Sequence, residues 1–277
     1  MRISGFTFVR NGLELDYPFA QSIRSLLPVV DEMVVNVPDS EDDTLDAVRS
    51  IDDPKLKVFT SDWDESLREG GRILALQTNR ALERCSGDWA FYLQADELVH
   101  EADHASIRDA ARLHLDRPGV DGLLFRFLHF EGGYHLTNPF RYRRQIRIVR
   151  NDGTNTSWGD ACGFRKTDGR RLRARRVSAS IYHYGWARDP QKLVQKNREL
   201  ERLYHDDAYI RSKYDAAPAA ANPELAVCVP FRGSHPVQMA ERVRAADWSV
   251  REPPSRLPLL LRPQAWRRLL RKWRIWR

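Results

Sequence analysis

Residues 94–97 read Gln94-Ala95-Asp96-Glu97, two carboxylates at the end of an apolar run. Carboxylate oxygens suit hard divalent cations such as Mg2+ or Mn2+, whose remaining positions substrate phosphates and water can fill. A cation held there acts as a Lewis acid on a phosphate leaving group. Removing a proton from an attacking hydroxyl needs a carboxylate within hydrogen-bond reach. Asp160, between Gly159 and Ala161, is the candidate base, with Asp152 and Glu131 as alternatives and a plain turn aspartate as the bland reading. Arg141, Arg143, Arg144 and Arg147 are candidates for a pyrophosphate, although strand alternation puts most of them on a solvated face.

The elements that must position these groups alternate over the first hundred residues. Residues 3–9, 33–37, 56–60 and 89–93 read as strands, each short and apolar. Helical segments lie between them: one ends before Pro28, one runs from Ser40 toward Ile51, and one is opened by Gly70-Gly71 and reaches about Cys85. Ser40 with Asp43 offers a capping box for the second. Strands separated by helices imply a mainly parallel sheet, whose ligands bind beyond the carboxyl ends of the strands. Asp39 and Asp96 both fall at such ends. After residue 115, segments 122–130, 144–150 and 178–184 read as longer strands, the first two as a meander. A polar helix from Pro190 to about His205, a linker over 216–221 and a short helix over 236–246 complete the pattern.

Of 277 residues, 42% are hydrophobic and 30% charged, a globular mixture. The net charge of +7 equals the seven basic residues of 262–277, Arg262, Arg267, Arg268, Arg271, Lys272, Arg274 and Arg277, a stretch without an acidic residue. The rest is nearly neutral, which excludes a nucleic-acid-binding surface spread over the fold. Cys85, Cys162 and Cys228 are odd in number and far apart, so they suggest neither a disulfide framework nor a metal knuckle. With no signal-like apolar segment near the start, a cytoplasmic setting is expected.

Several motifs together resemble family 2 glycosyltransferases of the GT-A fold. Ser40-Glu41-Asp42-Asp43-Thr44 resembles their S-T-D-G-T turn. Gly87-Asp88-Trp89 leading to Gln94-Ala95-Asp96-Glu97 is similar to their G-D-W strand and DxD motif, with Gln94 replacing the first aspartate. Trp63-Asp64 and Gln77-Thr78-Asn79 resemble the W…N segment between them. His183-Tyr184-Gly185-Trp186, Asp160 and Gly233-Ser234-His235-Pro236 resemble a subgroup found in bacterial polysaccharide gene sets. The resemblance implies a nucleotide-sugar donor and metal-assisted, inverting transfer to a hydroxyl of a glycan or lipid-linked glycan. It implies donor contacts from Asp39, Asn79, Gln94 and Asp96, a divalent cation (Mn2+ or Mg2+) on Asp96 and His183, and Glu97 as an additional site residue. His183 retains the alternative of a packed core histidine.

The expected architecture is therefore α/β: a GT-A-like, mainly parallel sheet flanked by helices, an acceptor-side meander and a C-terminal amphipathic helix. Residues 1–245 form the catalytic domain, with a donor half (1–100) and an acceptor half (101–245), and 246–277 are linker and tail. Trp266, Leu269, Leu270, Trp273 and Trp276 share one helical face opposite the basic residues, the pattern of a helix lying on an anionic membrane surface. That places the chain on the inner membrane face. A non-catalytic scaffold with a decayed site, or a glycoside hydrolase using paired carboxylates, are the competing readings.

Overall fold

A computed structural model describes residues 1–67, 69–215, 223–248 and 265. The elements in chain order are β1 (Ile3–Phe8), α1 (Phe19–Leu26), β2 (Glu32–Pro38), α2 (Thr44–Arg49), β3 (Leu56–Ser61), α3 (Arg72–Leu82), β4 (Trp89–Tyr92), β5 (Glu97–Val99) and α4 (His104–Leu113). There follow β6 (Gly122–Glu131), β7 (Leu136–Thr137), β8 (Arg144–Arg150), β9 (Asn155–Trp158), β10 (Gly163–Lys166) and β11 (Ala174–Trp186). α5 (Pro190–Glu201), α6 (Asp207–Tyr214), β12 (Val229–Pro230) and α7 (Ala240–Ala245) complete the chain.

The fold is the expected α/β class, a curled central sheet flanked by helices. β3, β2, β1 and β4 lie side by side and parallel, in that order. β1, β2 and β4 are buried almost throughout, which is why they read as continuous apolar runs rather than alternating ones. Beyond β4 the sheet is mixed. β8 joins β4 antiparallel and β6 joins β8 antiparallel, while β11 returns parallel to β6 and pairs antiparallel with β5. The anticipated antiparallel neighbours 122–130 and 144–150 do pair, as β6 and β8, and between β8 and β11 the chain leaves the sheet to form the separate β9–β10 hairpin.

Two elements fall where the sequence shows no clear pattern. β5 has only three residues, too few to alternate, and α4 buries only Ile107 and Ala111 among polar neighbours. The Ser40–Asp43 capping box does not form. Asp43 sits at the N-cap of α2 without a side-chain cap. Asp42 makes the turn instead, accepting from the Thr44 N–H (3.0 Å) and from the Leu13 and Glu14 N–H groups (3.0 and 2.8 Å). It ties the loop after β1 to the end of β2. The linker over 216–221 and almost all of 246–277, including the amphipathic tail apart from Ala265, lie outside the described residues. Among the described residues, no helix is long and apolar enough to cross a membrane.

Candidate active site

β4 ends at Tyr92, and the chain then crosses the top of the sheet through Gln94, Ala95 and Asp96 before β5. The register of β11 brings His183 opposite Glu97 of β5 and His129 of β6, and Tyr184 N–H donates to the Asp96 carbonyl at 2.8 Å. Two segments almost ninety residues apart in sequence are thereby pinned at one point. His183 Nε2 stands 3.4 Å from Asp96 Oδ1, and both side chains are buried.

The hydrogen bonds behind His183 assign its tautomer. The Tyr142 carbonyl can only accept, so His129 Nε2 donates to it at 2.7 Å. Burial, reinforced by His183, pushes the His129 imidazole down to about 3, so it is neutral and its Nδ1 is an acceptor. His183 Nδ1, 2.8 Å away, must then be the donor. His183 Nε2 therefore either carries a second proton, which it donates to the Asp96 carboxylate, or turns a lone pair toward that oxygen. Two acceptors in that position need a proton or a cation between them. Ligands at right angles, each about 2.1 Å from one ion, are about 3 Å apart, close to the separation here. The orienting chain of carbonyl and histidine is the support that metal-bound imidazoles usually have. Gly185 keeps the space open: a Cβ there would lie 2.7 Å from His183 Nε2 and 3.0 Å from Asp96 Oδ2. Asp96 and His183 thus fit two positions around a divalent cation. Among the described residues no third His, Cys, Asp or Glu joins them, which leaves the other positions to substrate oxygens and water.

The second Asp96 oxygen is occupied by protein. Lys196, buried on α5, donates to Asp96 Oδ2 at 3.0 Å and to the Gly185 carbonyl at 2.8 Å. Asp189 caps this helix by accepting from the Gln191 and Lys192 N–H groups, and Pro190 starts it, which fixes where Lys196 points. Burial pushes the Lys196 ammonium down to about 8 although Asp96 opposes the shift. Burial alone would raise the Asp96 carboxyl, but Lys196, then His183 and Arg188, hold it well below the usual carboxylate range.

These groups open onto a cavity of about 980 Å³, also lined by Arg10, Asn11, Trp63, Gln94, Arg141, Trp186 and Tyr204. Asp160 lines it from the β9–β10 turn, where Gly159 and Ala161 on either side have positive φ (61° each). The turn is held to the sheet by Phe164, whose ring packs edge-on against Phe6 and Tyr92. Gln94 Nε2 donates to the Ala161 carbonyl at 3.4 Å. Asp160 Oδ2 accepts from the Tyr204 hydroxyl at 3.3 Å.

Other candidates stand elsewhere. Asp39 is outside the cavity lining, and its carboxylate accepts from the Trp63 N–H at 3.0 Å. It shapes the rim indirectly, because Arg10 donates to its carbonyl and stacks over Trp63. Asn79 also lies outside the lining: its side-chain oxygen accepts from Ser157 N–H at 2.7 Å and clamps the hairpin onto α3. Glu97 is fully buried in a bidentate pair with Arg147 (2.6 and 2.7 Å), so neither side chain faces the cavity. Of the alternative bases, Glu131 is buried against Arg141 and Asn138, and Asp152 turns to Thr154 on an exposed loop. Arg143 and Arg144 are exposed, while Arg141 reaches the cavity with its guanidinium 3.2 Å from the Trp186 ring centroid.

No family model matches the chain, and no curated protein matches it. Among solved structures it is similar to residues 1–349 of TarS from S. aureus. The overlap with the TarS fragment crystallised alone covers 77% of this chain and 69% of that one, at 16% identity and a TM-score of 0.41. The complex of that fragment with UDP-GlcNAc gives 77%, 70%, 16% and 0.42. A nucleotidyl transferase from Methanothermobacter thermautotroptrophicus overlaps 55% of this chain and 72% of its own, at 12% identity and a TM-score of 0.33. These likenesses are too distant to carry an assignment, which rests on the chemistry of the cavity.

Proposed function

We propose that the chain is a glycosyltransferase that binds a nucleotide sugar in the cavity at the end of β4 and transfers the sugar to a hydroxyl of a glycan, with inversion and with help from a divalent cation. The observation that carries the reading is the pair Asp96 Oδ1 and His183 Nε2, 3.4 Å apart and opening onto the cavity. Asp96 and His183 would hold Mn2+ or Mg2+, which when bound supplies Lewis-acid stabilisation of the departing diphosphate. His129 orients His183, and Lys196 fixes the rotamer of Asp96 through Oδ2. Asp160 takes the proton of the acceptor hydroxyl on a carboxylate oxygen, and Gln94, bonded to the same turn, orients the sugar. The basic, tryptophan-bearing composition of 262–277 supports a lipid-linked acceptor at an anionic membrane surface.

A thermal-shift screen of nucleotide sugars, with UDP-GlcNAc among them, tests the reading. At least one donor should stabilise the protein more with Mn2+ than without, and Asp96→Asn should abolish the difference. Absence of any donor-dependent shift, with or without Mn2+, would sink it.

A further inference from the structure

Near Asp96 the buried charges do not balance. The Glu97–Arg147 and Glu131–Arg141 pairs are each neutral. What remains is one carboxylate, Asp96, facing two cations, Lys196 and Arg188, which are 6% and 3% exposed. Arg188 donates to the Leu15 carbonyl and lies over the Tyr17 ring. Among the described residues it has no carboxylate within salt-bridge distance, and its Nε is buried without a hydrogen-bond partner. Its charge is felt at Asp96, Lys196 and Tyr17 alike. Lys196 lines the cavity and has three N–H donors, of which Asp96 and Gly185 take two. A desolvated excess cation is costly unless an anion comes to it.

We infer that Lys196, backed by the charge of Arg188, is a direct binding residue for the donor's diphosphate: its third N–H donates to a phosphate oxygen, and the site holds the diphosphate even without a divalent cation. This deepens the glycosyltransferase reading and rests on it. Lysine serves here as a point charge, which suits an oxygen whose position shifts as the leaving group departs.

The test is calorimetric titration of the full chain with inorganic pyrophosphate and UDP, each in Mg2+ and in EDTA. The wild type should bind pyrophosphate in both buffers. Lys196→Met should weaken that binding about 30-fold or more in both, the cost of truncating one partner of a buried charge pair. Lys196→Arg should retain most of it. Lys196→Gln, which can still donate to Asp96, guards against misfolding and should show the same loss as Lys196→Met. Wild-type binding that vanishes in EDTA, or a folded Lys196→Gln that binds pyrophosphate like the wild type, would overturn the inference alone. Binding of neither ligand in either buffer would overturn the parent reading and the inference with it.

Discussion

His183 Nε2 meets Asp96 Oδ1 at 3.4 Å with no hydrogen to offer when the imidazole is neutral, because His129 takes the one on Nδ1. The glycine two residues later makes the pair testable. Gly185→Ala would set a methyl 2.7 Å from Nε2, the atom that would hold a cation, and 3.0 Å from Asp96 Oδ2. Overpacking of this kind costs the fold about 1–3 kcal/mol. Displacing a ligand imidazole typically costs about 10- to 100-fold in metal affinity, so Mn2+ affinity should drop by about tenfold or more. Titration followed by Mn2+ electron paramagnetic resonance reads this. Wild-type affinity in the alanine variant would mean that no ion sits between the two residues.

Glu97 stands beside Asp96 in sequence yet belongs to the core. Its carboxylate and the Arg147 guanidinium are both fully buried and paired through two hydrogen bonds. Glu97→Gln leaves Arg147 charged without its counter-ion, and such breaks cost about 3–5 kcal/mol. Urea unfolding should show that loss, and Glu97→Gln combined with Arg147→Met should recover much of it. A site role for Glu97 would instead give a stable single variant with poor donor binding.

Asp96 was legible because an apolar strand stops abruptly at it, and strand ends are where ligands bind in such sheets. His183 was legible only as a histidine in an aromatic strand, since its role depends on a register that pairs β11 with both β5 and β6. What stayed hidden is long-range pairing of polar groups. Glu97 finds Arg147 50 positions away, Asn79 finds Ser157 78 away, and Lys196 finds Asp96 100 away. None of these partners leaves a local mark, so the local motif put Glu97 and Asn79 in the site and passed over Lys196. One weak signal existed: Lys196 falls three residues after Leu193 and four before Leu200, on the apolar stripe of α5. His129 and Arg188 carried no such signal.

Acid stability should report on Glu32. Burial would raise this carboxyl, but Lys57, Ser4 and Ser86 outweigh it and hold it down from 4.5 to about 2. A carboxyl depressed in the folded state contributes stability above its unfolded value, and that contribution is lost as pH falls from about 4.5 toward 2. With Lys57 largely exposed, the contribution is about 2 kcal/mol. Glu32→Gln should therefore lower stability at pH 7 and flatten its decline between pH 4.5 and 2, measured by denaturant midpoints. An unchanged pH slope would show that Glu32 titrates normally.

Of the three carboxylates the sequence offers as base, Asp160 is the one that lines the cavity, whereas Asp152 lies on an exposed loop and Glu131 is committed to Arg141 and Asn138. Its turn is built to hold it, with left-handed backbone at Gly159 and Ala161 and an N–H bond from Cys162 at 3.2 Å. Ala161 adopts that conformation at a steric cost few non-glycine residues accept, which marks the turn as over-determined by its surroundings. Asp160→Asn keeps the shape and the Tyr204 contact but removes the basic oxygen, so transfer should slow by about 10²- to 10⁴-fold. Donor affinity should stay within a few-fold of wild type, because in the proposed site the diphosphate end of the donor would be met by Asp96, His183 and Lys196 instead. A drop in donor affinity with little change in turnover would assign Asp160 to the sugar, and the proton would then need another acceptor. Tyr204→Phe separates the two roles further: it frees Asp160 Oδ2 without touching its charge, so a base should gain or keep rate while a purely structural turn aspartate should lose stability.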